Sequence, residues 1–212
     1  MEATGPDIVF LKEGASAVAF ALTFLLFAGY IRSIHRGQTV PHAFSWMVWT
    51  FGTFVVFAAQ LAGGAGIGAW PIGLSACITG YVAFLAWRVR ADVRIDGPDW
   101  VLFTLAVLAL PAWALAADPL WAVVFLTTAD LLGFGPTLRK AYVRPFEEPP
   151  GFFALGALRN GFVIVALEHY SWTTALFPAA VGLGCLLLAL FIVLRRMVMS
   201  RADAEAPRGI EP

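Results

Sequence analysis

Apolar residues run through this chain in long unbroken stretches, not in the i, i+3, i+4 stripes of a helix lying on a soluble core. A helix needs about 20 predominantly apolar residues to cross a hydrocarbon layer of about 30 Å. Seven stretches meet that length approximately, at residues 15–31, 43–61, 69–87, 100–117, 119–137, 151–167 and 173–194. A β-barrel is not expected, because its strands would alternate polar and apolar residues over about ten positions. The pattern predicts an all-α integral membrane protein with seven transmembrane helices.

Between these stretches the charges are sorted. Arg32 and Arg36 follow span one, and Arg88, Arg90 and Arg94 follow span three. Arg139, Lys140 and Arg144 follow span five, and Arg195, Arg196, Arg201 and Arg208 follow span seven. The connections at the other ends of the spans, 62–68, Asp118 and 168–172, carry no Lys or Arg. The positive-inside rule then places the N-terminus outside and the C-terminus in the cytoplasm, as in a plasma (inner) membrane protein. Residues 1–14 read as an external segment, since Glu2, Asp7 and Glu13 face a single Lys12 and do not make a signal peptide. Residues 197–212 read as a short polar, disordered tail.

Composition agrees with the spans and narrows the function. Of 212 residues 60% are hydrophobic and 13% charged, well away from a soluble domain, and the lipid bilayer is the expected partner. The formal net charge of zero leaves no general grip for nucleic acid. Cys77 and Cys185 lie within apolar runs and form neither a disulfide framework nor a CxxC site, so no metal or other cofactor is expected. Both lysines, Lys12 and Lys140, lie outside the hydrocarbon, which excludes a Schiff-base pigment. No HExxH, no paired intramembrane aspartates and no mid-span histidine point to a hydrolase, and the chain is not expected to be an enzyme.

The two halves of the chain resemble each other. At an offset of 108, Arg36 meets Arg144, Pro41 meets Pro149, Phe54 meets Phe162 and Ala58 meets Ala166. At an offset of 107, Pro71 meets Pro178, Phe84 meets Phe191 and Arg88 meets Arg195. The repeat divides the chain into a first three-helix unit (15–90), a linker helix (98–118) and a second three-helix unit (119–196). Three spans end on the side opposite their start, so one linker span makes the two units parallel. Parallel repeats about an axis normal to the membrane are a transporter symmetry, with the solute held near the midplane.

Polar residues inside the spans are the candidates for that solute. Asp130 in span five and Arg159 in span six stand at similar depth, and a charge there costs several kcal/mol unless it has a partner or a role. Since consecutive spans are usually neighbours, an ion pair between them is expected. Such a pair is either a static strut or the lining of a cavity for an ionic solute, with Asn160 beside it. Trp46, Trp49, Thr53 and Gln60 lie on one face of span two, either as an interface belt or as an aromatic wall with polar groups. Gln60 and Glu168 are repeat mates at the outer ends of spans two and six, and are candidates for a gate. Gly63-Gly64-Ala65-Gly66 reads as a flexible outer turn. Pro71 and Pro178 read as helix starts, and Pro136 as a hinge near the end of span five.

The arrangement of three, one and three spans with an external N-terminus, and the stretch Gly135-Pro136-Thr137-Leu138-Arg139-Lys140, resemble the SWEET and PQ-loop superfamily. Pro136-Thr137 occupies the place of that superfamily's Pro-Gln or Pro-x-Thr element, and the likeness covers residues 15–196. It implies a small-solute transporter, uniporter or proton-coupled, in a bacterial inner membrane, with a homo-oligomer possible. In sugar-transporting members, asparagines in spans three and seven line the pocket. Span three here has Ser75 and Thr79 instead, and span seven has no asparagine. Trp46 and Trp49 also make the Trp-x-x-Trp spacing of nicotinamide riboside-type transporters, at the start of span two. A receptor, sensor or assembly protein with the same fold and a plugged cavity is the alternative. The charge sorting makes a topological prediction. A reporter active only in the cytoplasm should be active when fused after Met199 and silent when inserted in the 62–68 turn; the reverse result inverts the orientation.

Overall fold

The computed structural model describes residues 5–37, 43–89 and 97–205, apart from the side chains of 99, 102, 136, 140, 147 and 201–205. The described residues form seven helices and no strand: α1 Pro6–His35, α2 Ala43–Ala62, α3 Trp70–Val89, α4 Gly97–Ala116, α5 Leu120–Val143, α6 Pro150–Ala166 and α7 Trp172–Glu205. Short 3₁₀ turns at Gly66–Ala69 and Pro145–Glu147 precede α3 and α6. Five helical spans are long and apolar enough to cross a membrane, and Phe103–Ala116 and Pro150–Ala166 are shorter apolar stretches. Large apolar side chains such as Leu25, Trp87, Leu115 and Leu183 are exposed on the helix exteriors, as a hydrocarbon surrounding requires.

Several boundaries differ from the sequence reading. Helix α1 starts at Pro6, so most of the expected external segment is helical, because a proline suits the first turn and Ile8, Val9, Phe10 and Leu11 continue the apolar run. The expected disordered tail is helical as far as Glu205, continuing α7 without a glycine or proline to stop it. Local capping fixes other ends. Asp118 Oδ1 accepts the Leu120 N–H at 2.9 Å, and Ser171 Oγ accepts the Thr174 N–H at 3.3 Å.

The packing of the helices is the same in both halves. Helix α3 lies against both α1 and α2, and α7 against both α5 and α6. Helix α1 meets α6, and α2 meets α5. Exchanging α1, α2 and α3 for α5, α6 and α7 leaves these six pairings unchanged, α2 makes an additional contact with α7 that has no counterpart of similar extent between α6 and α3, and α4 packs outside on α5 and α2. Small residues allow the close approaches. A Cβ on Gly182 would stand 2.9 Å from that of Asn160, and one on Gly184 would stand 2.6 Å from the Phe134 ring. The largest buried apolar cluster draws on all seven helices, through Ala19, Val55, Ile72, Ala109, Leu126, Val163 and Phe177 among others.

Proline chemistry joins the halves at one end. Pro178 has no N–H for the carbonyl of Thr174, whereas the carbonyl of Ile67, four residues before Pro71, accepts the Trp70 N–H. Ser16 Oγ of α1 donates to Ile67 O at 3.0 Å, and Gln60 Nε2 of α2 donates to Thr174 O at 2.9 Å. Pro178 is thus not a helix start: it sits inside α7, and a side chain from the other half takes the carbonyl it releases. The reciprocal contact also exists, since Glu168 Oε1 accepts the Ile67 N–H at 3.0 Å. Gln60 and Glu168 are repeat mates at an offset of 108, and Ile67 and Thr174 are mates at 107. Each half therefore reaches the matched residue of the other.

This clasp overturns the expectation of a flexible Gly63–Gly66 turn. The Ala65 carbonyl accepts the Glu168 N–H at 3.0 Å, and a Cβ on Gly66, whose φ is +58°, would run into the Glu168 carboxylate. A Cβ on Gly68 would stand 2.8 Å from the Leu167 backbone. Lys12 Nζ adds a bond to Glu168 O at 3.3 Å. Removing Gln60 should expose its energetic role. Gln60→Leu should lower stability by about 1–3 kcal/mol in a detergent thermal-unfolding assay, and by less in a Pro178→Ala background, where the restored N–H serves Thr174 O. Equal losses in both backgrounds would refute the link between proline and glutamine.

Candidate functional site

Arg159 is buried, and all its described bonds go to uncharged groups. Nε donates to Thr23 Oγ1 at 3.2 Å, one terminal nitrogen to Asn160 Oδ1 at 3.2 Å, and the other to Pro71 O at 2.9 Å. Each acceptor is itself held. Thr23 Oγ1 donates to Ala19 O at 2.8 Å, and Asn160 Nδ2 donates to Gly156 O at 2.9 Å. The guanidinium thus ties α6 to α1 and to the start of α3. Ser75, half-buried, stands one helical turn beyond Pro71 on α3. Thr79 is buried and donates back to Ala76 O at 2.9 Å.

The expected ion pair between Arg159 and Asp130 is not formed. Helix α7 lies between α5 and α6, so these two consecutive helices are not packing neighbours, and Arg159 turns toward the carbonyl at the start of α3. Asp130 is half-buried near the middle of α5 and has no hydrogen-bond or ion-pair partner among the described residues. Both charges lie within electrostatic reach of the Cys185 thiol on α7.

Asp130 instead faces α2. Leu126, Asp130 and Gly133 follow one another at steps of four and three, which is a single stripe of α5. At one end of it Leu126 Cδ2 would be 3.1 Å from a Cβ on Gly52, and at the other the Trp49 indole would be 3.8 Å from a Cβ on Gly133. Both neighbours are on α2, so the carboxylate between them lies along the α2–α5 seam. Thr53 stands one turn from Trp49 and donates to Trp49 O at 2.7 Å. Trp46 is buried instead of lying in an interface belt, and its ring meets that of Trp49 at 5.2 Å and 89°. Tyr30 packs on its other neighbour side at 5.1 Å from the Trp46 ring.

The sequence candidates therefore separate into three places. Trp49, Thr53 and Asp130 come together along the α2–α5 seam. Arg159 and Asn160 belong to the α6 knot, with Ser75 on its side of α3, while Thr79 is satisfied within its own helix. Gln60 and Glu168 form the clasp at the end of the bundle. Pro136 lies inside the continuous α5, and its side chain lies outside the described residues.

Two contributors were missed. Thr23 is a lone hydroxyl in an apolar helix, and nothing local marks it as the acceptor for Arg159. Thr127 precedes Asp130 by three residues on the same helix, a spacing that could have been read. Its hydroxyl is buried without a hydrogen-bond partner, as is Gln60 Oε1. The basic end is tied by Arg195, which donates to Tyr142 O at 2.9 Å, and by Arg196, which donates to Glu148 O at 2.8 Å. Among the described residues no group of three or more His, Cys, Asp or Glu could hold a metal ion.

The chain matches no protein-family model, no curated protein and no solved structure. The separation of the two charges has an energetic signature. Arg159→Lys, which loses the forked donor geometry, should cost about 1–3 kcal/mol, whereas Asp130→Asn, which removes an unpaired charge from an apolar setting, should leave stability unchanged or raise it. In a double-mutant cycle the two changes should add within about 0.5 kcal/mol, and a larger coupling would mean that the pair interacts.

Proposed function

We propose that this chain is a small-solute membrane transporter of SWEET-like architecture, working by alternating access in a bacterial inner membrane. Its two parallel units are α1–α3 and α5–α7, with α4 as linker, the N-terminus outside and the C-terminus in the cytoplasm. The neighbour set that survives exchange of the halves supports this reading, as does the reciprocal clasp through Gln60 and Glu168. The observation that carries it is Asp130. A half-buried carboxylate without a partner, on the seam where α5 of one unit meets α2 of the other, is costly in an apolar bundle unless a solute uses it. Opening toward the outside would separate Gln60 from Thr174 and Glu168 from Ile67, which makes this clasp the outer gate. Pro136, where α5 lacks one N–H, is the hinge toward the basic end. Arg159 and Asn160 hold α6 against α1 and α3 beside the pathway.

A second reading is favoured by the apolar cluster to which all seven helices contribute: a receptor, sensor or assembly protein whose centre is plugged. One experiment separates the two. In a Cys77→Ser, Cys185→Ser background, a cysteine introduced by Asp130→Cys should react with a small charged methanethiosulfonate reagent applied from the water. Proteoliposomes carrying the wild-type chain should take up members of a small-solute panel, and Asp130→Asn should reduce that uptake by at least about tenfold. An unreactive cysteine together with no uptake would decide for the plugged protein.

A further inference from the structure

The α2–α5 seam has a chemistry more specific than "small solute". Its charge is a single carboxylate, Asp130. Arg159, the buried cation nearest in kind, is committed to Thr23, Asn160 and Pro71 O and leaves Asp130 unneutralised. Within one helical turn of Asp130 the wall is the Trp49 indole, which passes Gly133 at a position where a β-carbon would lie 3.8 Å away. Trp46 packs across Trp49 at 89° and fixes its plane. Three residues before Asp130, Thr127 is 4% exposed and its hydroxyl has no hydrogen-bond partner among the described residues. A buried hydroxyl left open in this way is an unmet hydrogen bond that a bound group can meet.

These three features select the ligand. A carboxylate repels anions and gives a neutral sugar only one pair of acceptor oxygens. A hard metal ion needs six or more oxygens, and Asp130 is a lone acidic group in the seam. An ammonium group is attracted both by the carboxylate and by an indole face, and its alkyl surface suits the apolar walls supplied by Leu126 and Val56. Resting on the transporter reading above, we infer that the α2–α5 seam binds a small organic cation, its ammonium group held between Asp130 and Trp49 with Thr127 alongside.

The test uses the purified full chain in detergent and radiolabelled choline in equilibrium dialysis, with tetramethylammonium as competitor. Choline should bind saturably. Asp130→Asn should weaken it at least tenfold, Trp49→Leu on the order of tenfold, and Trp49→Phe only a few-fold, with each variant's unfolding temperature measured as a folding control. Should Asp130→Asn not fold, Trp49→Leu and Thr127→Val carry the comparison. The neutral isostere 3,3-dimethylbutan-1-ol should not compete. Competition by that alcohol equal to that of tetramethylammonium, or no binding of either cation, overturns the inference. Proteoliposomes keep the two claims apart. Choline binding without uptake defeats the transporter reading and leaves the cation site standing, whereas uptake of neutral or anionic solutes without cation binding does the reverse.

Discussion

A carbonyl that has lost its helical donor cannot turn to water inside hydrocarbon, so something in the protein must supply a hydrogen. Pro178 creates such a carbonyl on Thr174, and the way it is satisfied, together with the bonds made to the Ile67 peptide in the turn before α3, organises one end of this bundle. Gln60 crosses from α2 to Thr174, and Ser16 crosses from α1 to Ile67. Glu168 then takes the Ile67 amide. Pro178 thus removes one bond from α7 and obliges α2 to come close. The glycines at 66 and 68 admit that approach, since a side chain on either would collide with the 166–168 segment.

Arg159 follows the same rule with a different donor count. Its guanidinium has five N–H groups, and uncharged oxygens from three helices accept from it. This makes it a brace between the halves, with no carboxylate needed to keep it charged and hydrogen-bonded. Asp130 has no comparable arrangement. Along α5 it stands between Leu126, which meets Gly52 of α2, and Gly133, which meets the Trp49 indole, and three residues after Thr127, whose hydroxyl has no partner among the described residues. The two charges that cancel in the composition are therefore treated differently by the fold, one bonded across three helices and one left without a partner among the described residues.

The opposite end is tied through cations. Arg195 and Arg196 donate to the carbonyls of the α5–α6 connection and lie over the rings of Tyr142 and Phe146. One end is thus closed by backbone complementarity between the glycine-bearing 63–68 turn and the 167–171 connection, and the other by arginines near the end of α7.

Helix number and approximate span limits were legible in the sequence, because a continuous apolar run of about 20 residues has few other solutions. So was the matching of Pro71 with Pro178 and of Gln60 with Glu168, since the repeat leaves its trace at polar and proline positions. The run could not show that α1 begins at Pro6, where apolar and acidic residues mix. It also could not show that α7 comes between α5 and α6. That second fact is a matter of packing order, and it separates Asp130 from Arg159 although the two looked adjacent in the chain. Sequence determined which residues are costly to bury; only the tertiary structure decided which of those costs a neighbour meets, as at Arg159, and that Asp130 has no hydrogen-bond or ion-pair partner among the described residues.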